Sequence, residues 1–200
     1  MSTKIDIKST ASTTISTAKL MKTGQTTSYI TGDDGDLEAG RNTNFTTLAE
    51  NNVFGNTNRF TDELGTQTYT NDIVIDWSTY DGSTVLGWYR LNNAIDINFT
   101  GAIAGALAFN IGTFNTGWRL PNSQELFSIL IWSGGGPLNY SPFNLTSTFA
   151  YWTGTNTATS ALAVTNSLTL NMFRFIAKTT IASHRYIPCR VFTVTGTTLS

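Results

Sequence analysis

The segment GWRLPNSQEL, residues 117–126, does most to limit what this chain can fold into. Trp118 and Leu120 alternate with Arg119, so an extended run puts the two apolar side chains on one face and the arginine on the other. Pro121 fixes its own φ and keeps the residue before it out of the helical region, which ends that run. Asn122 is a natural helix N-cap. Glu125 stands three residues further on, the spacing at which a carboxylate reaches back to the cap's own N–H. Leu126, Ile129 and Leu130 then share one helical face, and the GGGP run at 134–137 closes the helix. Trp118 is expected in the core, since a buried tryptophan is usually a packing residue. Arg119 is expected to pair with Glu125. The motif therefore reads as a structural corner rather than as a ligand contact.

The rest of the chain is punctuated by turns. β-branched and aromatic residues predict strands around Arg59–Thr61, at 67–69, 73–77 and 85–91, and again at 149–153, 161–164, 168–175 and 186–194. Asp81-Gly82 lies between two of these runs and predicts a hairpin. GAIAGALAF at 101–109 predicts a helix, with Thr100 as N-cap and two internal glycines that permit close packing against a sheet. Two helices among many short strands make an α+β fold. Residues 1–21, rich in Ser, Thr, Ala and Lys, read as an extended N-terminal arm, and residues 22–200 as one domain.

Composition narrows the function. Only 12% of the 200 residues are charged, against about a quarter in an ordinary soluble domain. The surface must then be dressed with Thr, Ser, Asn and Gly. Twelve Lys and Arg against thirteen Asp and Glu leave a net charge of −1, so there is no basic field to hold a nucleic-acid backbone. Cys189 is the single cysteine, which excludes an intramolecular disulfide and a cysteine-rich metal site. No stretch approaches the roughly 20 apolar residues of a membrane-spanning helix. The first twenty residues lack the apolar core of a secretory signal. This pattern is expected of a protein made in a host cytoplasm and released in a virus particle.

Several blocks now fall into an order: KTGQTTSY at 22–29, GDDGDLEAG at 32–40, NRFTD at 58–62, a strand ending in Trp77, GWRLPNSQEL, YWTGT at 151–155 and YIPCRVF at 186–192. In that order they resemble the Lcl C-terminal-domain family, a domain of unknown function, over most of the chain. The chain departs from the family's usual pattern in IVIDW, in YWTGT, and in lacking an arginine two residues before Cys189. The resemblance implies a C-type-lectin-like fold in which two helices flank short antiparallel sheets. It also implies an adhesive or structural role in bacteriophage particles, with trimers among its members. The expected partners are therefore other virion proteins, sister subunits (a homotrimer favoured) and a host-surface glycan or protein. A receptor-free cement protein of capsid or tail, and a bacterial surface adhesin, are the alternatives.

For recognition, Trp132 and Tyr140 flank the glycine-rich stretch, with Asn139 and Asn144 nearby. Aromatic faces with amides suit stacking on a sugar ring or a protein contact; the competing reading packs Trp132 into the core. Asp33, Asp34 and Asp36 around Gly35 carry oxygen ligands of the kind calcium takes, but without the closing glutamate of a calcium loop, and a solvated turn accounts for them. No cofactor is expected. His184 and Cys189, five apart, would lie on opposite faces of one strand, and no paired carboxylates or phosphate loop appear, so no catalytic residue is assigned.

Overall fold

The computed structural model describes residues 52–91, 96–131, 138–139, 142–143, 145, 149–165 and 173–200. The 1–21 arm and the Asp33, Asp34 and Asp36 turn lie outside them. The described part is an α+β structure of two helices and mostly antiparallel sheets.

A five-stranded sheet runs in the order β1 (Phe60–Thr61), β2 (Ile73–Asp76), β3 (Thr84–Tyr89), β10 (Cys189–Thr195), β11 (Thr198–Leu199). All its pairs are antiparallel. β2 reads IVID and every residue in it is buried, as a central strand covered on both faces requires. Ile73 and Ile75 face one apolar cluster with Trp77, Val85, Trp118 and Phe192. Val74 faces the other, with Leu86, Trp88, Leu126, Ile129, Phe143 and Cys189. The register sets Val74 opposite Trp88 and Ile75 opposite Gly87, so each pair feeds one face. The Asp81-Gly82 hairpin forms as expected, preceded by a 3-10 turn at Trp77–Thr79 that Asp76 caps.

The second sheet has the order β8 (Phe173–Ala177), β7 (Ser160–Thr165), β6 (Ala150–Asn156), β9 (His184–Arg185). Its β6–β9 pair is parallel. Helix α1 (Phe99–Leu107) lies against it. Phe99, Ala102 and Ala106, at helical spacing, pack with Trp152, Ala161, Ala163 and Tyr186. The small residues of α1 do permit close approach: a Cβ at Gly105 would sit 2.3 Å from the Tyr186 hydroxyl. The cap of α1 is Asn98, whose side chain accepts from Gly101 N–H, and not Thr100, which falls within the helix. Ile97 N–H donates to His184 O at 2.8 Å and fixes the chain immediately before that cap.

Helix α2 (Ser123–Ser128) is capped as expected but shorter. Leu130 lies beyond it, in β4 (Leu130–Ile131), which pairs with β5 (Leu138–Asn139). Arg59 Nη2 donates to Ser128 O at 3.0 Å and so takes up one of the last helical carbonyls. The strand expected at 67–69 is instead part of a turn that Asp62 organises. Asp62 accepts from the N–H groups of Leu64, Thr66 and Tyr69 and from the hydroxyls of Thr66 and Thr68. Tyr69 adopts φ 53° there, outside the β region.

Candidate functional site

The 117–126 segment forms the corner between the two sheets. Trp118 is buried, and its Nε1 donates to Phe114 O at 2.8 Å. Arg119 turns to the other side and grips Glu125 with both ends of its fork, Nη1–Oε2 at 2.8 Å and Nη2–Oε1 at 2.7 Å. Glu125 Oε2 also accepts from Asn122 N–H, while Asn122 Oδ1 accepts from Glu125 N–H, which completes the capping box. Burial pushes the Glu125 carboxyl up, but the bonds from Arg119 and from the Asn122 N–H outweigh it and hold it below the usual range. Pro121 O accepts from Gly154 N–H at 2.7 Å, tying the corner to β6. All five motif residues, Trp118, Arg119, Pro121, Asn122 and Glu125, are thus occupied in holding the fold.

The recognition residues expected from the sequence fall differently. Trp132, Tyr140 and Asn144 lie outside the described residues. Asn139 is described only through its backbone, in β5 opposite Leu130. Described residues stand on either side of them. The stretch 132–137 leaves through β4 and returns through β5. Just beyond, Phe143 meets Phe60 and Trp88 edge-on at 5.4 and 6.0 Å, and Leu145 is buried in the same cluster. Arg90, paired with Asp72 at 2.7 Å, also reaches Pro142 O.

Cys189 and His184 are the thiol and the imidazole that the sequence offers for covalent or acid–base chemistry. Cys189 and His184 sit on separate strands, β10 and β9, not on one. Burial pushes the Cys189 thiol up to about 12, so it stays protonated at neutral pH. His184 stacks on Trp152 at 4.7 Å, and its Nδ1 lies 2.6 Å from Ala182 O, so the proton sits on Nδ1 and donates to that carbonyl. Its Nε2 is buried without a hydrogen-bond partner among the described residues. Among the described residues, no three His, Cys, Asp or Glu side chains gather as metal ligands, and no helix is long and apolar enough to cross a membrane.

Two polar features escaped the sequence reading. Arg59 and Asp76 form a bidentate pair at 2.8 and 2.7 Å with both side chains fully buried. Asp62 is the hub of the turn described above. Hydrogen bonds from Thr66, Thr68 and Leu64 outweigh the upward push of burial and hold its carboxyl below the usual range. Both Arg59 and Asp62 belong to the NRFTD block, so the signal was present as a motif without its partners. No family model matches the sequence, and neither a curated protein nor a solved structure is significantly similar to it.

Proposed function

We propose that this chain is a non-catalytic recognition domain of C-type-lectin-like fold, carried on a bacteriophage particle and binding a host-surface glycan or protein through the segment 132–144. The observation that carries the reading is the base of that segment: β4 paired with β5 on one side, Phe143 and Leu145 seated in the core on the other. Binding residues are commonly set on loops that a rigid scaffold holds at both ends. Here the segment bears one tryptophan, one tyrosine and two asparagines, side chains suited to sugar or protein contact at low entropic cost. The low charge of the chain and the order of its motif blocks agree with a particle-surface protein, which as a trimer would repeat the segment three times and bind by avidity.

The test is adsorption. Purified protein should bind host cells or a glycan array, and Trp132→Ala with Tyr140→Ala should lower that binding at least tenfold while the melting temperature holds. Protein that stabilises particles yet shows no affinity for cells or glycans would instead mark a cement protein.

A further inference from the structure

Arg59, Arg90, Arg119 and Arg185 each meet a carboxylate, at 2.7 to 3.5 Å. Arg190 does not. Its guanidinium joins no ion pair and no hydrogen bond among the described residues, and its Nε is buried without an acceptor. It lies over two phenyl rings instead, 4.5 Å from the Phe192 centroid and 5.3 Å from that of Phe114. An arginine keeps its charge through any such desolvation. Two aromatic faces stabilise that charge in part, but they satisfy none of its N–H donors.

The platform beneath it is fixed. Phe114 and Phe192 meet edge-on at 5.0 Å, and Trp118 meets Phe192 at 6.3 Å. Phe114 is held by paired backbone bonds with Ile111 and by the Trp118 indole N–H. Around it, Thr113, Asn115, Thr116 and Gly117 are exposed. Gly117 adopts φ +80°, and a Cβ built there would come within 3.9 Å of Arg190 Nε, so Gly117 packs beside the buried Nε and a ligand meets the half-buried guanidinium at its Nη end.

We infer that Arg190, on the Phe114–Phe192 platform, is a binding site for the carboxylate of an acidic saccharide. A planar fork with unmade hydrogen bonds matches a carboxylate in two-point geometry. The neighbouring hydroxyls and amide of Thr113, Asn115 and Thr116 suit the sugar's own hydroxyls. The inference rests on the recognition reading above and adds the ligand class and a second contact region, away from 132–144.

The full chain is titrated with a glucuronate-containing tetrasaccharide, with its neutral glucose counterpart, and with inorganic sulfate. The acidic sugar should bind at least tenfold more tightly than the neutral one and weaken as salt rises. Arg190→Met keeps an apolar stem over the rings and removes the fork; it should lose at least tenfold in affinity at an unchanged melting temperature. Arg190→Lys should fall between. Should Arg190→Met not fold, the Nε resonance of Arg190 in the wild-type protein replaces it as readout and should shift on adding the sugar. Sulfate binding as well as the uronate reveals a general anion site and overturns the carboxylate assignment. Equal binding of the neutral sugar, equal binding by folded Arg190→Met, or an unmoved Nε resonance overturns the site. Host-cell adsorption is measured alongside. Wild-type protein that adsorbs but ignores the uronate sinks the Arg190 site alone, and protein that does neither sinks the recognition reading as well.

Discussion

Arg119 and Cys189 exchange both backbone hydrogen bonds, each at 2.9 Å, and so stitch the corner before α2 to the first residue of β10. The same arginine also donates from Nη1 to the Cys189 sulfur at 3.4 Å. Two motif blocks 70 positions apart are thereby one structural unit, with Glu125 closing it from the helix side.

That unit depends on the cap. Asn122→Ala removes one of its two reciprocal bonds and should cost about 1 kcal/mol. Glu125→Ala removes the other together with the bidentate pair and should cost about 2 kcal/mol, since the partly exposed Arg119 is screened by solvent. Urea denaturation should show both as shifts in midpoint at unchanged slope. Equal costs for the two variants would mean that the ion pair contributes nothing.

The Arg59–Asp76 pair should behave more severely. Asp76 accepts from Arg59 at two points and from Ser78 at two more, with no exposure to water. Asp76→Ala removes the buried carboxylate that Arg59 meets at two points and should cost about 3–5 kcal/mol. Arg59→Met with Asp76→Leu should recover much of that loss, because a buried ion pair is replaced by apolar side chains that need no desolvation. A double variant no better than the single one would show that the Arg59 bond to Ser128 O, and not the charge, dominates.

These two cases show which interactions a sequence discloses. The capping box, the Pro121 corner and the Arg119–Glu125 pair are local, and residue type with spacing predicts them. Arg59 and Asp76 are 17 positions apart, and Arg119 and Cys189 70, so only the folded topology reveals those pairs. Tertiary contacts also overrule propensity. The strand expected at 67–69 yields to the carboxylate of Asp62, which gathers N–H groups that a ladder would have used. The cap of α1 moves from Thr100 to Asn98 because the Ile97 bond to His184 fixes where the extended chain ends. The platform under Arg190 had no sequence signal, since Phe114 and Phe192 meet only across the fold.

Close packing across the central sheet sets a further expectation. Gly87 sits mid-strand in β3, where alanine would ordinarily be tolerated. A Cβ there would lie 2.3 Å from Phe192 Cε2, and Phe192 is fully buried with no room to retreat. Gly87→Ala should therefore destabilise by about 1–3 kcal/mol and broaden the near-UV aromatic signal. Gly82→Ala makes a useful contrast. No described residue lies within 4 Å of its Cβ, so its penalty should come from the φ of +101°.

The last expectation concerns acid. Burial pushes His184 below its ordinary pKa, against the opposing pull of the Ala182 carbonyl and Asp96. The folded state therefore binds its proton less readily than the unfolded chain does. By linkage, the stability this gives is fully present above the unfolded value of about 6.5 and is lost as pH falls through the lower folded value. Protonation would place a donor on Nε2 where no acceptor lies among the described residues, beside Trp152 and next to Ser183, which already holds φ 59°. Asp62 and Glu125, both held low, begin to lose their own contribution only further down, as pH falls through the ordinary carboxylate range toward their lower folded values. Thermal melts should thus show two regimes: a first decline beginning near pH 6.5 and a steeper one below about pH 4.5. His184→Gln should erase the first and leave the second. A first decline that persists in His184→Gln would assign it to another group and leave His184 as a packing residue alone.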